Sequence, residues 1–231
     1  PFLSKVTGVP IVKVATKVML GNSLAQQGYE SGLREKTGLV GIKAPVFSMS
    51  KLPGVDTYLG PEMKSTGEVM GVDNNFKGAL VKALMATGTM LPVEGSILLS
   101  LADRDKASAL PIIKKLAELN YEFFATEGTA AMMEAMGIPV SMISKKISEG
   151  HPNVLDIING DTVQGVINTP TGGRVPIRDG FEIRRAATER RIPCFTSLDA
   201  ARVAVDILTH GGQDFQVLSL GEYFPTASSG K

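Results

Sequence analysis

The amino-acid sequence predicts an α/β fold with a mostly parallel sheet and helices on both of its faces. From residue 91 onward, short apolar segments of strand character alternate with segments whose apolar residues recur at helical spacing. The connections are short, and helical segments end at glycines such as Gly137 and Gly160. Strict alternation is typical of parallel sheets, because the crossover to a parallel strand is usually a helix.

The alternating region contains six predicted strands and five predicted helices. The strands are predicted over residues 96–101, 121–125, 139–143, 163–167, 192–195 and 215–220. The helices are predicted over residues 107–119, 129–136, 154–158, 178–189 and 198–209. Between the first strand and the first helix, the polar residues 103–106 are expected to form a turn.

Residues 1–90 follow no such alternation, and we predict that they form a unit separate from residues 91–231. Helices are predicted over residues 10–21 and 76–87, and a strand over residues 39–49. The stretch 51–71 is rich in Gly and Pro and is expected to be mostly turns and extended chain. Since these elements form no self-contained fold, we expect a fragment of a larger domain.

The composition argues against several classes of protein. The 231 residues carry a net charge of +1, which speaks against a globally basic nucleic-acid-binding protein. Cys194 is the only cysteine, so a disulfide within the chain and a cysteine-rich zinc site are both excluded, and a reducing, cytoplasmic location is expected. No apolar run reaches the roughly 18 residues of a membrane span, and no signal peptide is recognisable.

Hydroxyls, glycines and cations follow the predicted strands at their carboxyl ends, where ligands bind in open parallel sheets. Lysine charge, threonine hydroxyls and amides at a helix N-terminus are groups that bind phosphate. The sequence therefore predicts a phosphate site at this edge. Its candidate residues are Lys106, Thr126, Gly128, Thr129, Lys145, Asn168, Thr169 and Thr171.

Each of these signals has a plainer interpretation when it is taken alone. Thr126 could be a helix N-cap, the loop after Asn168 an ordinary loop, and the two lysines solvated surface residues. Joint placement at strand ends favours the phosphate site over these alternatives. No metal motif is predicted, because the two histidines and the cysteine lie far apart in the sequence.

Other reactive side chains are expected to be structural. His151 is expected to have a surface or capping role, and His210 to lie near a helix C-terminus, where a cation is favourable. Cys194 lies in a predicted buried strand with no base nearby in the sequence, so it is not expected to be a nucleophile. An exposed basic face is expected from Arg184, Arg185, Arg190 and Arg191.

Two long motifs in the first ninety residues point to a family. They are Pro1-Phe-Leu-Ser-Lys-Val-Thr-Gly-Val-Pro10 and Leu59-Gly-Pro-Glu-Met-Lys-Ser-Thr-Gly-Glu-Val-Met-Gly71. Both resemble the tail of the second ATP-grasp synthetase unit in the large subunit of the carbamoyl-phosphate synthetase family. Residues from about 91 onward resemble that family's methylglyoxal-synthase-like regulatory domain. The resemblance implies a Rossmann-like sheet over residues 91–231, preceded by an α+β fragment of an ATP-grasp domain over residues 1–90.

The resemblance also implies an effector site. In the family this domain binds UMP as an inhibitor or IMP as an activator. The family's contacts fall here on Lys106, Thr126, Thr129, Lys145 and Asn168. This sequence departs from the family at Pro170, where some members carry a second threonine after the Asn-Thr pair. Thr169 or Thr171 is left to supply the missing hydroxyl.

The resemblance gives little support for an ornithine site, because most of the family's ornithine positions carry other residues here. Members that respond to ornithine carry a glutamate where this chain has Ala44, directly after Lys43. Acid and tyrosine positions of the family fall here on Cys194 and Phe195, and Thr196 alone is retained. Because a cationic amino acid needs a carboxylate partner, we predict that ornithine binds weakly or not at all.

The family's catalytic residues for ATP and metal lie upstream of Pro1, so this chain alone is expected to be non-catalytic. The parent enzyme is an ATP-dependent ligase of pyrimidine and arginine biosynthesis. It makes carbamoyl phosphate from bicarbonate, ATP and ammonia, which a glutaminase small subunit releases from glutamine. Its cofactors are ATP, Mg²⁺ or Mn²⁺, and K⁺. The implied partners are UMP or IMP, the rest of the large chain and the small subunit, with no nucleic acid and no membrane.

Two alternatives from other classes remain. Methylglyoxal synthase would use the same phosphate site, but that family needs a carboxylate base in a Gly-Gly-Asp loop. This chain has Arg174 at the acid position, and arginine cannot act as a general base at neutral pH. A plain interaction module without a ligand would leave the clustered cations and hydroxyls unexplained.

Overall fold

A computed structural model describes residues 1–33, 38–52, 54–145, 151–170, 178–209 and 215–224. The chain divides into two compact units. The first comprises Pro1–Ala44, Glu68–Ala86 and the described part of residues 213–231, and the second comprises Pro45–Gly67 with Thr87–Gly212. The predicted boundary between residues 90 and 91 concerns the domains of the family and stays a prediction.

Within the described ranges the chain forms nine α-helices, seven strands and two short 3₁₀ helices. The helices are α1 (Phe2–Thr7), α2 (Ile11–Met19), α3 (Phe76–Thr87), α4 (Asp103–Glu118), α5 (Glu127–Ala135), α6 (Val154–Asn159), α7 (Arg178–Glu189), α8 (Leu198–Thr209) and α9 (Leu220–Tyr223). The strands are β1 (Val40–Val46), β2 (Gly67–Asp73), β3 (Ser96–Ser100), β4 (Glu122–Thr126), β5 (Ser141–Ile143), β6 (Gly165–Asn168) and β7 (Cys194–Phe195). The 3₁₀ helices are Ala25–Gln27 and Met49–Lys51.

Strands β1 and β2 form a two-stranded sheet, and within the first unit α3 packs closely against β2. The α3 backbone is so near that a Cβ atom at Gly71 would lie 2.6 Å from the backbone nitrogen of Ala83. The Lys82 ammonium group donates hydrogen bonds to the Asp73 carboxylate at 2.7 Å and to the Tyr223 hydroxyl at 2.8 Å. Lys82 therefore joins α3 to both β2 and α9.

The second unit is built on a five-stranded parallel sheet in the order β5-β4-β3-β6-β7. Successive residues of a strand point to opposite faces of the sheet. Leu99 of β3 accordingly lies in a core that includes residues of α4, α5 and α8, whereas Leu98 lies in a core that includes residues of α6 and α7. Both leucines are fully buried. The predicted α/β fold with helices on both faces is confirmed.

Helices α3, α7 and α8 have the predicted bounds, because apolar residues at helical spacing run through them. The turn predicted over residues 103–106 is wrong, since these residues form the first turn of α4. Asp103 and Asp105 carry negative charge at the end of the helix where the macrodipole is positive, which stabilises a polar first turn. No helix in the described part of the chain is long and apolar enough to cross a membrane.

The strand predicted over residues 215–220 is also wrong. Residues 215–219 have no regular secondary structure, and α9 begins at Leu220 behind a capping box between Ser219 and Glu222. The local alternation of apolar residues is present, yet Val217 is 84% exposed and packs on no sheet. A strand needs a partner for its backbone hydrogen bonds, and local pattern cannot supply one.

Candidate functional site

The carboxyl ends of the parallel strands bring most of the predicted site residues to one edge of the sheet. The register pairs Thr126 with Ile143, Ser100 with Asn168, and Ile167 with Phe195. All of these pairs lie at or next to the ends of their strands. The segments that follow β3, β4, β5 and β6 therefore start from the same side, as expected for a ligand site in an open parallel sheet.

Two of the predicted threonines hold the turn between β3 and α4. The Thr129 hydroxyl accepts a hydrogen bond from the backbone N–H of Leu101 at 3.1 Å, and the Thr169 hydroxyl accepts one from Ala102 at 2.9 Å. Both threonines are buried. A hydroxyl that accepts from an amide keeps its own hydrogen, so each can still donate to an anion. These two threonines can therefore hold the turn and donate to a ligand at the same time.

Lys106 lies against the first turn of α5. Its ammonium nitrogen is 2.6 Å from an oxygen of Asp103, and a Cβ atom at Gly128 would lie 2.9 Å from the same nitrogen. A side chain at position 128 would therefore require the end of the lysine to shift. The hydrogen bond and the charge of Lys106 lower the pKa of the Asp103 carboxyl, and the charge of Lys145 contributes as well. Both predicted lysines therefore act on the same exposed carboxylate.

Thr126 and Lys145 complete the described part of this group. Thr126 is the buried N-cap residue of α5, and its side chain makes no capping hydrogen bond. Lys145 is half-buried just after β5. Thr171 lies outside the described residues, as do Arg174 and His210. The preceding Pro170 is described, and its carbonyl oxygen accepts a hydrogen bond from the Arg104 guanidinium at 2.8 Å.

Asn168 is held by Arg184, for which the sequence predicted an exposed position. Its side-chain nitrogen donates to the Ser100 carbonyl at 3.3 Å, and its side-chain oxygen accepts from Arg184 Nη1 at 2.8 Å. Arg184 is only 3% exposed. Its Nε and Nη2 atoms donate to the two carboxylate oxygens of Asp56 at 2.8 and 2.5 Å. Asn168, Arg184 and Asp56 therefore form one hydrogen-bonded chain, which we call the Arg184 network.

The prediction that four arginines form an exposed basic face is wrong for Arg184, which is buried. It is confirmed for Arg190 and Arg191, which follow the end of α7. Arg190 and Arg191 are exposed, and Arg185 is partly exposed and pairs with Glu189. The spacing of residues along α7 already indicates that Arg184 is buried. Residues 180, 183, 184 and 187 follow the i, i+3, i+4, i+7 spacing of one helix face, and all four are buried. An arginine within an apolar stripe indicates a buried partner.

The pKa of the Asp56 carboxyl lies below its usual range. Burial raises this pKa. The hydrogen bonds from Arg184 and from the Tyr58 backbone N–H, together with the charges of Arg184 and Lys64, lower it by more than burial raises it. Asp56 is therefore ionised at neutral pH and forms a bidentate ion pair with Arg184. Such pairs are geometrically specific as well as strong.

Comparison with known proteins shows what the chain is similar to. Residues 108–196 match the MGS-like domain family. The chain is 53% identical over 223 residues to the carbamoyl phosphate synthase large chain of Thermomicrobium roseum, and the alignment covers 96% of this chain. The chain is a relative of the carbamoyl phosphate synthase large chain. It spans 21% of the length of that relative. The resemblance predicted from the sequence is confirmed.

The matched MGS-like domain contains most of the candidate site. Thr126, Thr129, Lys145 and Asn168 lie inside it, and Lys106 precedes its first matched residue by two positions. Arg184 also belongs to the MGS-like domain, whereas Asp56 lies outside the match. The Arg184 network therefore joins the MGS-like domain to a residue from an earlier segment of the carbamoyl phosphate synthase-like chain.

One residue, Thr196, is predicted to contact an ornithine-like effector. Thr196 is half-buried after β7, which is the edge strand of the sheet in the MGS-like domain. Lys43, in the first unit, pairs with Glu68 at 2.5 Å. Weak or absent ornithine binding stays a prediction.

His151 has the predicted surface role, since its Nδ1 lies 2.5 Å from Asp156 within the capping group of α6. Among the described residues there is no group of three or more potential metal-ligating side chains. Burial raises the pKa of the Cys194 thiol to about 12. Cys194 is therefore a thiol at neutral pH.

We expect Cys194 of the folded protein to react at least 100-fold more slowly with Ellman's reagent at pH 8 than Cys194 of the unfolded chain. An ordinary cysteine has a pKa of about 8.5 and is substantially thiolate at that pH. Because Cys194 is the only cysteine, the colorimetric signal has one source. Labelling in buffer and in concentrated urea measures the ratio. Equal rates in a sample with native circular dichroism would contradict the assignment.

Proposed function

We propose that the carboxyl edge of the five-stranded sheet binds the phosphate of a nucleoside monophosphate, UMP or IMP. Binding there would regulate ATP-dependent carbamoyl phosphate synthesis by the protein to which this chain belongs. The observation that carries the proposal is the placement of Lys106 between Asp103 and the glycine turn of α5. A lysine at this position adds a full charge to amides and a helix dipole that already favour an anion.

The site has the donors that a phosphate needs. The hydroxyls of Thr129 and Thr169 are positioned by the amides they accept from and keep their own hydrogens for a ligand. Lys145 contributes positive charge from the neighbouring strand end. Each charge-assisted hydrogen bond contributes roughly 1.5–3 kcal/mol. Two lysines and two hydroxyls would supply up to four contacts to one phosphate group.

The Asp103 carboxylate forms an ion pair with the Lys106 ammonium group. The carboxylate is 94% exposed, so it can turn away into water when a phosphate arrives. A phosphate has to compete with this carboxylate for the lysine. Asp103 therefore lowers the affinity for phosphate, and its removal should raise that affinity.

Regulation requires that the nucleotide binds two conformations of the protein unequally. The catalytic groups for ATP, Mg²⁺ or Mn²⁺ and K⁺ are proposed to lie elsewhere in the protein, with a glutaminase small subunit as a further partner and a cytoplasmic location. The kinship with a carbamoyl phosphate synthase large chain supports this arrangement. In this proposal the 231 residues supply the effector site and no catalytic residue.

Isothermal titration calorimetry with UMP, IMP and inorganic phosphate tests the site. We expect Lys106→Ala or Lys145→Ala to weaken nucleotide binding by about 10- to 100-fold, which corresponds to losing one charge-assisted contact. Asp103→Asn should tighten binding several-fold. The matched control is Lys114→Ala, because Lys114 is an exposed lysine on the same helix. Wild-type binding that is absent, or a control that loses as much affinity as Lys106→Ala, would contradict the proposal.

A further inference from the structure

Arg184 connects two segments of the second unit through three hydrogen bonds of its side chain. Its Nε and Nη2 atoms donate to Asp56, and its Nη1 atom donates to Asn168. The guanidinium group is planar, so the carboxylate on one side and the amide on the other are fixed relative to each other. A Cβ atom at Gly180 would lie 3.1 Å from Arg184 Nη1, so the surrounding space is filled. The Asp56 carboxylate and the Asn168 amide are therefore positioned by the same group.

The network determines the orientation of the Asn168 side-chain amide, and therefore whether a ligand meets its oxygen or its nitrogen. Arginine has only donors, so the atom of Asn168 that faces Arg184 has to be the side-chain oxygen. The amide nitrogen is then directed to the Ser100 carbonyl, with one hydrogen left over. Asn168 can therefore offer a donor to a phosphate or ribose oxygen. Without Arg184 the Asn168 amide could rotate by about 180° and direct its oxygen, an acceptor, where its nitrogen donor lies now.

Asp56 brings a different segment of the chain into the network. It belongs to residues 45–67, which are part of the second compact unit but are joined along the chain, at both ends, to residues of the first unit. Lys64 holds the local loop by donating hydrogen bonds to the carbonyls of Tyr58, at 2.7 Å, and of Asp56. The Tyr58 backbone N–H in turn donates to the Asp56 carboxylate at 3.0 Å. The carboxylate is thus presented by a small ordered loop.

We propose that the Arg184 network couples the effector site to segment 45–67. Asp56 and Arg184 are positioning residues in this proposal, since they act on the ligand through Asn168. A ligand that pulls on Asn168 shifts Arg184, and Arg184 transmits the shift to Asp56 and its loop. The inference rests on the proposed function, because Asn168 has to contact the effector.

The test is the variant Asp56→Asn in the intact protein, which keeps the shape of the side chain and removes its charge. We expect UMP or IMP to bind with an affinity within about tenfold of wild type. The ratio of carbamoyl phosphate synthesis rates with and without nucleotide is expected to fall to near one. The matched control is Asp161→Asn, because Asp161 is exposed and pairs with Arg190, which lies three residues after Ala187, the last residue of the buried stripe of α7. The control should keep both the affinity and the rate ratio.

Two further measurements separate coupling from simple loss of structure. In wild type, added nucleotide should change hydrogen–deuterium exchange in residues 54–64, and Lys106→Ala should abolish the change. The NMR signal of the Asn168 side-chain amide should shift in Asp56→Asn, which a substitution that only loosens a distant loop would not cause. These readouts remain usable if Asp56→Asn folds poorly, because the exchange experiment needs only wild type and Lys106→Ala.

The outcomes distinguish the two proposals. Nucleotide binding with an unchanged rate ratio in Asp56→Asn, or with unchanged exchange in residues 54–64 of wild type, would overturn the coupling and leave the effector site standing. Absence of nucleotide binding to wild type would overturn the effector site, and the coupling with it. A lost rate ratio with retained affinity, alongside a normal Asp161→Asn control, would support both.

Discussion

Arg184→Met is expected to lower the free energy of unfolding by about 3–5 kcal/mol, the range found when one partner of a buried ion pair is removed. The substitution leaves the Asp56 carboxylate in a largely buried place without its cation, and the Asn168 oxygen without its donor. Methionine has a similar volume, so packing is largely kept and the loss reports on the missing charge and hydrogen bonds. Urea unfolding followed by circular dichroism measures the change.

The adjacent residue provides the control. Arg185 is partly exposed and forms only an i,i+4 pair with Glu189, so Arg185→Met should cost no more than about 0.5 kcal/mol. The double variant Asp56→Leu with Arg184→Met should recover part of the stability, because apolar residues can replace a buried pair at little cost. Similar losses for Arg184→Met and Arg185→Met would show that the ion pair contributes little to stability.

The pH dependence of this loss has a defined direction. The folded-state pKa of Asp56 is lowered, so its contribution to stability is fully present above the ordinary aspartate pKa of about 4 and is lost as the pH falls through the lowered value. The difference in stability between wild type and Arg184→Met should therefore be largest near neutral pH and should shrink below about pH 4. Urea unfolding of wild type and Arg184→Met at several pH values between 3 and 7 measures this difference.

Gly71→Ala is expected to destabilise the first unit by about 3 kcal/mol or more, at the upper end of overpacking effects. The added Cβ atom would collide with the carbonyl oxygen of Ala79 and would lie 2.6 Å from the backbone nitrogen of Ala83. Both atoms belong to the backbone of α3, which has no rotamer to change. The helix has to move away from β2 as a whole, which also disturbs the Lys82 pair with Asp73.

Gly67→Ala is the matched control, because Gly67 is the first residue of the same strand and its nearest atom to an added Cβ would be 3.9 Å away. It should change stability by less than about 0.5 kcal/mol. Hydrogen–deuterium exchange of the α3 amides, compared with those of α4 in the other unit, shows whether the damage stays local. Equal exchange of the α3 amides in both variants would contradict the close packing at Gly71.

Regular elements could be predicted from the sequence where the pattern that defines them is local. Helix α7 was bounded correctly because its apolar stripe and its polar residues lie within twelve positions. The start of α4 was missed because acidic residues in a first turn look like a loop unless the helix dipole is considered. The strand over residues 215–220 failed because a strand depends on a neighbour from elsewhere in the chain.

The candidate edge of the sheet was determined by the sequence alone. Strands that alternate with helices run parallel, so polar residues after successive strands, such as Lys106, Thr126 and Asn168, have to meet at one side. Which groups those residues touch was decided only by the tertiary structure. Asp56 lies 128 residues before Arg184, and no periodicity or spacing links a carboxylate in a Gly- and Pro-rich stretch to an arginine on a distant helix. The pair forms because the folded chain buries both charges in the same place, where each charge requires the other.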